Sequence, residues 1–336
     1  MNFAPDETQA AIQGLAKQIF RGDAAGSWIH LAKSQLLGGD LGFVALCLVL
    51  EQQGRTVAPI PLHATMVCGD LTIRRWGSDD QKTTLLAGVS KGKALLTAAL
   101  EGRTPPTATA DGDGYRLTGT RTAVPWLTEQ TTAVLVPARL DGLASQPGAV
   151  RLFVVAPSEL EATAATATNE QPLHNVRFQG AAAQLLGDGD PAAVPWLVQR
   201  ATVAACALVL GVAREALILT GKYTNERKQF GVAIASFQAV HQRAADAYID
   251  VQCMDVNLWR AAWLLGTERE ATREVHNAAF WAAEGGHRVL AAAQHLHGGM
   301  GFDKDYPLHQ YFLTAKRWEL ALGNARQHLQ ALGGLF

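Results

Sequence analysis

Two segments of the C-terminal half decide the fold: NERKQFGVAIASFQAV, from Asn225 to Val240, and QHLHGGMGFDKDYPLHQYF, from Gln294 to Phe312. In the first, Gly231 permits a sharp turn just after a predicted long helix. The guanidinium of Arg227, at that helix end, can grip a diphosphate with two parallel hydrogen bonds. The helix dipole alone also favours an arginine at a helix C-terminus. The segment therefore predicts either a diphosphate contact or a simple helix end.

The second segment is rich in glycine between two amphipathic helical patterns. Gly298, Gly299 and Gly301 let a backbone come close to a ligand and present N–H groups to an anion. Such a run also forms an ordinary helix cap and interhelical turn. The segment contains three histidines, His295, His297 and His309. Two histidines two residues apart on a helix point to different faces, and no carboxylate lies at ligand spacing, so a metal site is disfavoured.

Helical patterns extend on both sides of these segments. One long helix is predicted from about Trp196 to Asn225, and in the next, apolar residues recur every three or four positions from Phe237 to Leu265. A third is expected from about Arg269 to Leu296. A fourth begins after Pro307, which suits a first helical position. Four such helices in succession predict a bundle.

The N-terminal region is also helical, whereas the middle region is not. The run LGFVALCLVLEQQG predicts a helix closed by Gly54, and Ser78 with Gln81 predicts a capping box. Short β-type runs then include a hairpin around Asp111–Gly114, and Glu161–Glu170 is interpreted as a loop. The predicted fold is α+β and mainly α: an N-terminal helical domain (1–92), a small antiparallel β barrel or sandwich (93–194) and a four-helix bundle (195–336).

Together, the two segments and the α–β–α order closely resemble the acyl-CoA dehydrogenase family. The short chain and the run HLHGGMGFDKDYPLHQYF look most like one subunit of the heterotetrameric, α₂β₂ members that act on steroid side chains. In that family the glycine-rich loop touches the diphosphate and adenosine end of FAD held mainly by the neighbouring subunit. The resemblance implies FAD, an acyl-CoA substrate, an electron-transfer acceptor and a partner subunit. It maps cofactor binding onto Arg227, Phe230, Phe237, Gln238, His295, Gly298, Gly299 and Gly301, with His295 standing where members usually carry glutamine.

The catalytic half of the family's site has no counterpart here. Most members remove the α-proton of the thioester with a glutamate before a Gly-Thr pair, and the matching residue is Leu322. The family's alternative base position matches Ala201. Glu101 is present, but the Gly-Ser-Asp that follows it in flavin-holding members is absent. The strand that faces the flavin ring is represented by a possible remnant, Trp126, Leu127 and Thr128.

Three interpretations remain open. The leading one is a non-catalytic subunit that completes FAD binding in a base-bearing partner. The second is a self-sufficient homotetramer with a displaced base, for which Glu319 is the nearest carboxylate to the lost position. The third is a flavin-free scaffold that stabilises a partner. The flavin absorption spectrum of the protein purified alone would distinguish them.

Composition excludes several other classes of protein. The 336 residues are 48% hydrophobic and 18% charged, which rules out intrinsic disorder. With 29 Lys and Arg against 30 Asp and Glu, a net charge of −1 provides no basic field for nucleic acid or an anionic membrane. The four cysteines suggest neither a zinc site nor a disulfide framework. The most apolar stretch, Ala201 to Ala213, is shorter than the roughly 20 residues of a membrane helix, so the cytoplasm is the expected location.

Two side-chain patterns in the predicted bundle have structural and functional interpretations. Trp259, Trp263, Trp281 and Trp318 lie at helical spacings and favour the core over a stacking platform for bases. Asp246 and Asp250 share a helix face as an i,i+4 pair. Such a pair is more typical of a solvated face than of acid/base chemistry, although burial would raise the two pKa values.

Overall fold

The computed structural model describes residues 5–38, 41–143, 146 and 148–335. The outermost residues of the predicted domains, 1–4 and 336, lie outside this range. Contacts group the chain into two units. One comprises the chain up to Gly22, Gly42–Ala58 and the chain from Thr202 onward; the other comprises Asp23–Leu41 and Pro59–Ala201. Each unit includes N-terminal helices, and the division into three domains stays a prediction.

Helices precede the strands, as expected. They are α1 (Glu7–Ile19), α2 (Ala24–Lys33), α3 (Phe43–Thr56), a π-helical segment (His63–Leu71) that continues into α4 (Thr72–Trp76), and α5 (Asp79–Leu86). The capping box predicted at α5 is confirmed, because the side chains of Ser78 and Gln81 each accept a hydrogen bond from the other's backbone N–H.

The central region folds into a mixed β-sheet that closes on itself. Its strands are β1 (Leu95–Ala98), β2 (Thr107–Asp111), β3 (Gly114–Pro125), β4 (Thr131–Leu140), β5 (Val150–Val155), β6 (Glu161–Thr166) and β7 (Pro172–Leu185). The ring β4-β2-β3-β7-β5 is closed because β5 pairs with both β7 and β4. The predicted hairpin is confirmed by the pairing of Asp111 with Gly114. Most pairings are antiparallel, but β1 and β2 each pair with β4 in parallel. Phe153, Phe178 and Leu117 fill the interior of the ring.

The predicted loop Glu161–Glu170 is wrong for its first six residues, which form β6 (Glu161–Thr166), whereas residues 167–170 lie in no strand or helix. β6 pairs antiparallel with β7, from Glu161 opposite Arg177 to Thr166 opposite Pro172. Its side chains are nearly all exposed, so the alternation of apolar and polar residues that marks a half-buried strand is missing.

The C-terminal helices form the predicted bundle with one addition. In chain order they are α6 (Ala193–Glu226), a hairpin of β8 (Lys228–Gln229) and β9 (Val232–Ala233), α7 (Gln238–Gly266), α8 (Thr272–His297), α9 (Leu308–Leu322) and α10 (Ala325–Gly333). The additional helix is α10, which has no counterpart among the helices predicted from sequence. Of the described helices, α6 is long and apolar enough to cross a membrane, but 67% of its most apolar window is buried, as in a core helix.

Gly54 does not close α3 as predicted, because the helix continues to Thr56. A Cβ atom at Gly54 would overlap the carbonyl oxygen of Leu208, and one at Gly211 would overlap that of Glu51. The two glycines therefore let the backbones of α3 and α6 touch where the helices cross, which is the physical reason for glycine at this position.

Two expectations for bundle side chains need correction. Trp318 is buried, but Trp259, Trp263 and Trp281 are only partly so. Asp246 is exposed, as expected of a solvated face. Asp250, however, is only 8% exposed and accepts hydrogen bonds from two nitrogens of Arg288, so this carboxylate forms an ion pair between α7 and α8.

Candidate functional site

The Arg227 segment forms a tight hairpin between α6 and α7. The N–H of Arg227 donates to the Tyr223 carbonyl at 2.8 Å, and the Arg227 carbonyl accepts from the Ile234 N–H at 2.8 Å. The turn residues Phe230 and Gly231 have φ angles of 53° and 83°. Two successive positive φ angles are typical of a type I′ turn. Gly231 thus makes the expected sharp turn, and the exposed side chain of Arg227 extends from an anchored backbone.

Both aromatic residues of this segment are exposed to solvent, Phe230 far more than Phe237. Phe230 is 94% exposed. Its ring meets the edge of Phe237, with centroids 6.2 Å apart. Phe237 directly precedes α7 and Gln238 is its first residue, so both lie at a helix N-terminus, where the helix dipole favours an anion.

The glycine-rich loop follows the end of α8, and part of its backbone is open to solvent. Gly298 has a φ of 58°, and its N–H donates to the carbonyl of His295, whose side chain is exposed. A Cβ atom at Gly298 or Gly299 would meet no atom within 4 Å. At Gly301 a Cβ would lie 2.7 Å from the Gln294 carbonyl oxygen, so packing within the chain requires this glycine. Gly298 and Gly299 can therefore admit an outside group, whereas Gly301 shapes the loop.

Three aromatic side chains join the hairpin end of α6 to the glycine-rich loop. The rings of Tyr223 and His297 stack with centroids 4.4 Å apart. The Tyr306 hydroxyl donates to Nε2 of His297 at 3.2 Å, while Nδ1–H of His297 donates to the Ala293 carbonyl at 2.8 Å. Burial lowers the pKa of His297, and the bond to Ala293 opposes that shift. This neutral imidazole therefore orders the two segments relative to each other.

Sequence reasoning missed the roles of Tyr223 and Tyr306. Tyr223 lies one helical turn before Arg227, and that spacing was the available signal. Both ring nitrogens of His297 are hydrogen-bonded within the chain. Within the described part of the chain, no group of three or more His, Cys, Asp or Glu is arranged to hold a metal ion.

The two positions that match the family's base carry no carboxylate. Ala201 is 6% exposed, and its carbonyl accepts from Nε2–H of His63 at 2.8 Å. Leu322 ends α9, and its carbonyl accepts from Nε2–H of His328 at 2.8 Å. Glu319, the nearest carboxylate to Leu322 in sequence, accepts from Nζ of Lys316 at 2.6 Å. It is therefore held in an ion pair on α9.

The middle-region positions Glu101 and Trp126–Thr128 lie outside the strands. Trp126 follows the end of β3 with a φ of 53°, and its carbonyl accepts from the Thr131 hydroxyl at 2.7 Å. The predicted strand remnant Trp126–Thr128 therefore lies in the connection between β3 and β4 and is not part of a strand. Near Glu101, the buried Arg121 donates to the Pro137 carbonyl at 3.0 Å, and burial lowers the pKa of this guanidinium.

Comparison with known proteins identifies the family. The model of the acyl-CoA dehydrogenase N-terminal domain matches residues 11–93, and that of the C-terminal domain matches residues 196–333. The acyl-CoA dehydrogenase FadE27 of Mycobacterium tuberculosis is 38% identical over 319 residues, which cover 90% of this chain and 83% of FadE27. The chain belongs to the acyl-CoA dehydrogenase family.

Solved structures agree with this membership. The Tcur3481-Tcur3483 steroid ACAD is 37% identical with a TM-score of 0.90, covering 98% of this chain and 97% of that one. The ChsE4-ChsE5 complex from Mycobacterium tuberculosis is 32% identical with a TM-score of 0.93, covering 99% and 98%. The predicted fold, the predicted family and its resemblance to steroid acyl-CoA dehydrogenases are confirmed. Membership also confirms FAD as the cofactor and an oxidoreductase class acting on acyl-CoA.

The residues present in this acyl-CoA dehydrogenase fit one end of FAD. The exposed guanidinium of Arg227 and the side-chain amide of Gln238 are donors that a diphosphate accepts, and the open backbone at Gly298 and Gly299 admits close approach. The sequence has no Gly-Ser-Asp after Glu101 to cradle the flavin ring. The donor set thus suits the diphosphate side of the cofactor.

Proposed function

We propose that this chain is the non-catalytic subunit of an α₂β₂ acyl-CoA dehydrogenase and completes the FAD site of a base-bearing partner. The observation that carries the proposal is that the chain has the residues for one half of the family's site and lacks those for the other half. The diphosphate-side residues Arg227 and Gly298 are present and exposed, whereas Leu322 and Ala201 occupy the family's base positions. Among its relatives, ChsE4-ChsE5 is a complex and Tcur3481-Tcur3483 a steroid ACAD, which supports a partner subunit and a steroid side-chain thioester as substrate.

In this proposal each residue of the hairpin and loop has a role in holding the cofactor. Arg227 donates charge-assisted hydrogen bonds to the diphosphate. The Tyr223–His297–Tyr306 contacts hold the hairpin and the glycine-rich loop in place around it. Bound FAD supplies the acceptor for the β-hydride of the acyl-CoA. The partner contributes the carboxylate that removes the α-proton, since this chain offers none at either position.

The remaining partners follow from the same chemistry. The reduced complex passes its electrons to an electron-transfer acceptor, and we propose that it does so in the cytoplasm. No property of the hairpin or loop selects a particular length of acyl chain, so the steroid assignment rests on the relatives.

Co-expression tests the proposal. The tagged chain is co-expressed with base-bearing acyl-CoA dehydrogenase chains of its own genome, beginning with any encoded beside it. We expect a stable heteromer that contains flavin and dehydrogenates acyl-CoA, while this chain alone lacks both properties. A yellow and active homomer would favour the displaced-base homotetramer. Colourless protein in every combination would favour the scaffold.

A further inference from the structure

A charged side chain, Arg121, is enclosed in the central β-sheet. It lies on β3 opposite Val176 of β7 and is only 5% exposed. Its Nη2–H donates to the Pro137 carbonyl of β4 at 3.0 Å. Its Nε is buried and has no hydrogen-bond partner among the residues that the structure describes. Since few buried N–H groups in proteins go without an acceptor, this one requires an explanation.

The strand order explains why this side chain reaches from β3 to β4. β2 separates these two strands, but it begins at Thr107, which pairs with Thr118 of β3 and with Arg139 of β4. Arg121 and Pro137 lie beyond that end of β2, where β3 and β4 face each other across a gap. The guanidinium therefore occupies the gap and joins the two strands.

The charge of Arg121 is not balanced by a carboxylate. Burial lowers the pKa of this guanidinium, and no carboxylate in the described part of the chain opposes that shift. Arg214 shows the usual arrangement, because it contacts Glu51 and Asp255, whose charges raise its pKa. An arginine stays protonated in proteins, and an unpaired charge in the interior is strongly unfavourable. Arg121 therefore requires a counter-ion that the described residues do not supply.

The gap is too closely packed for a large anion. The segment after β1 covers the guanidinium: a Cβ added at Gly102 would lie 3.3 Å from Cδ and 3.4 Å from Nη1 of Arg121. Gly102 also has a φ of 139°, a conformation that favours glycine. A phosphate group would have to displace this backbone, whereas a single-atom anion demands the least displacement.

We propose that Arg121 binds a small monovalent anion of the halide type, chloride in ordinary solutions, between β3 and β4. Nε–H donates a charge-assisted hydrogen bond to the ion, and its one negative charge balances the one guanidinium. A buried water also accepts from Nε–H but leaves the charge uncompensated. Arg121 lies in the unit that contains Pro59–Ala201, whereas Arg227 and Gly298 lie in the other unit, so this inference does not depend on the proposed function.

Unfolding at different chloride concentrations tests the proposal on the full chain. Urea unfolding is measured while sodium chloride replaces sodium gluconate at constant ionic strength, so that the screening of surface charges stays equal. An ion that binds only the folded state stabilises it. We therefore expect the folding equilibrium constant to rise at least about tenfold between about 5 mM and about 500 mM chloride, with saturation.

Two arginine variants separate binding at Arg121 from general effects of the salt. Arg121→Met removes the charge but keeps a long side chain, and we expect it to lose the dependence on chloride. Replacement of a buried ion by an apolar side chain is often tolerated, so the variant should fold. Arg116→Met is the matched control, because Arg116 lies on the same strand, is exposed and pairs with Asp111. We expect it to depend on chloride as the wild type does.

Bromide gives a direct readout that needs no variant. A crystal of the wild-type chain soaked in sodium bromide should show an anomalous scattering peak beside Nε of Arg121. A water or a carboxylate side chain at that position, with no bromide, would overturn the proposal even if Arg121→Met failed to fold. Equal dependence on chloride in the wild type and in folded Arg121→Met would also overturn it.

Discussion

At the scale of single residues, Arg227 provides the most direct test of cofactor binding. In the reconstituted complex, Arg227→Ala removes charge-assisted hydrogen bonds worth about 1.5–3 kcal/mol, so FAD affinity should fall roughly ten- to a hundredfold. Arg227→Lys should recover only part, because an ammonium cannot make the forked contact. Flavin retained after gel filtration measures both. The control is Lys222→Ala, an exposed cation on α6 five residues before Arg227. If both Arg227 variants retained all of their flavin, Arg227 would be an ordinary helix-end residue with no part in FAD binding.

The lost base positions predict a second outcome. Leu322→Glu or Ala201→Glu should give the isolated chain no turnover, because proton removal also requires a positioned thioester and a flavin ring. At Ala201, 6% exposed, an unpaired carboxylate should also cost on the order of 2 kcal/mol of stability. Glu319→Gln should leave the activity of the complex intact, since Glu319 is paired with Lys316. The assay is α,β-dehydrogenation with an artificial electron acceptor. Loss of activity in Glu319→Gln would make the displaced-base homotetramer the better interpretation.

A histidine pair predicts how stability depends on pH. Nδ1 of His276 and Nδ1 of His328 lie 3.0 Å apart, and Nε2–H of His328 donates to the Leu322 carbonyl. When both rings are neutral, Nδ1–H of His276 donates to Nδ1 of His328. Burial lowers both pKa values; for His328 the Leu322 bond opposes the shift and nearby His276 adds to it.

Because these pKa values lie below the ordinary value of about 6.5, the folded state binds fewer protons than the unfolded state in acid. The contribution to stability is thus complete above about pH 6.5 and is lost as the pH falls. Urea unfolding at about pH 7.5 and about pH 5.5 measures it. The double variant His276→Leu/His328→Leu should lose less stability between the two pH values than the wild type. The control is His30→Gln, at an exposed position, which should behave as the wild type. If the double variant lost as much stability between the two pH values as the wild type, the His276–His328 pair would not be the cause of the pH dependence.

At the scale of elements, the crossing of α3 and α6 depends on two glycines. Gly54→Ala or Gly211→Ala would drive a Cβ into a backbone carbonyl that no side-chain rotation can relieve. We expect a loss of about 1–3 kcal/mol or more in the free energy of unfolding. Gly221→Ala, also on α6 but with no atom within 4 Å of the added Cβ, should instead gain up to about 1 kcal/mol. Chemical denaturation measures the free energy of unfolding of the three variants. Equal values would mean that α3 and α6 can move apart to admit the added methyl group with no loss of stability.

The elements also explain how far the sequence could predict the fold. The bundle helices and the hairpin at Asp111–Gly114 were predictable because helix periodicity and Asp-Gly turns are local signals. β6 was not, since its exposed edge position removes the alternation on which strand prediction depends. Gly54 was misassigned because glycine is typical both of helix ends and of close helix crossings, and only the position of α6 distinguishes the two.

The candidate site was predictable for a different reason. Arg227, Gly231 and the glycines of the loop form motifs in sequence, and the family resemblance gave them a chemical meaning. The contacts among Tyr223, His297 and Tyr306 join positions far apart in the chain, so they could be recognised only in the three-dimensional structure.

At the scale of the whole molecule, the chain expressed alone should be poorly flavinated and nearly inactive on any acyl-CoA. It offers donors for the diphosphate side of FAD but lacks both family bases and the Gly-Ser-Asp segment, so its own contacts cover only part of the cofactor. A ligand stabilises a folded protein by RT ln(1 + [L]/Kd), which is about 2.7 kcal/mol at a hundredfold excess over Kd.

Weak FAD binding therefore predicts a melting temperature of the free chain that does not respond to added FAD, while that of the heteromer rises with FAD concentration. Thermal melts of both at matched protein concentration, each with and without FAD, measure this difference. Riboflavin is the control ligand. It has the flavin ring but no diphosphate, so any change that it causes in either melting temperature does not arise from the Arg227 contact. If FAD raised the melting temperature of the free chain as much as that of the heteromer, and the free chain then turned over acyl-CoA, the flavin-ring half of the site would be complete within this chain. The partner would then be unnecessary for catalysis, and the self-sufficient homotetramer would replace the proposed function.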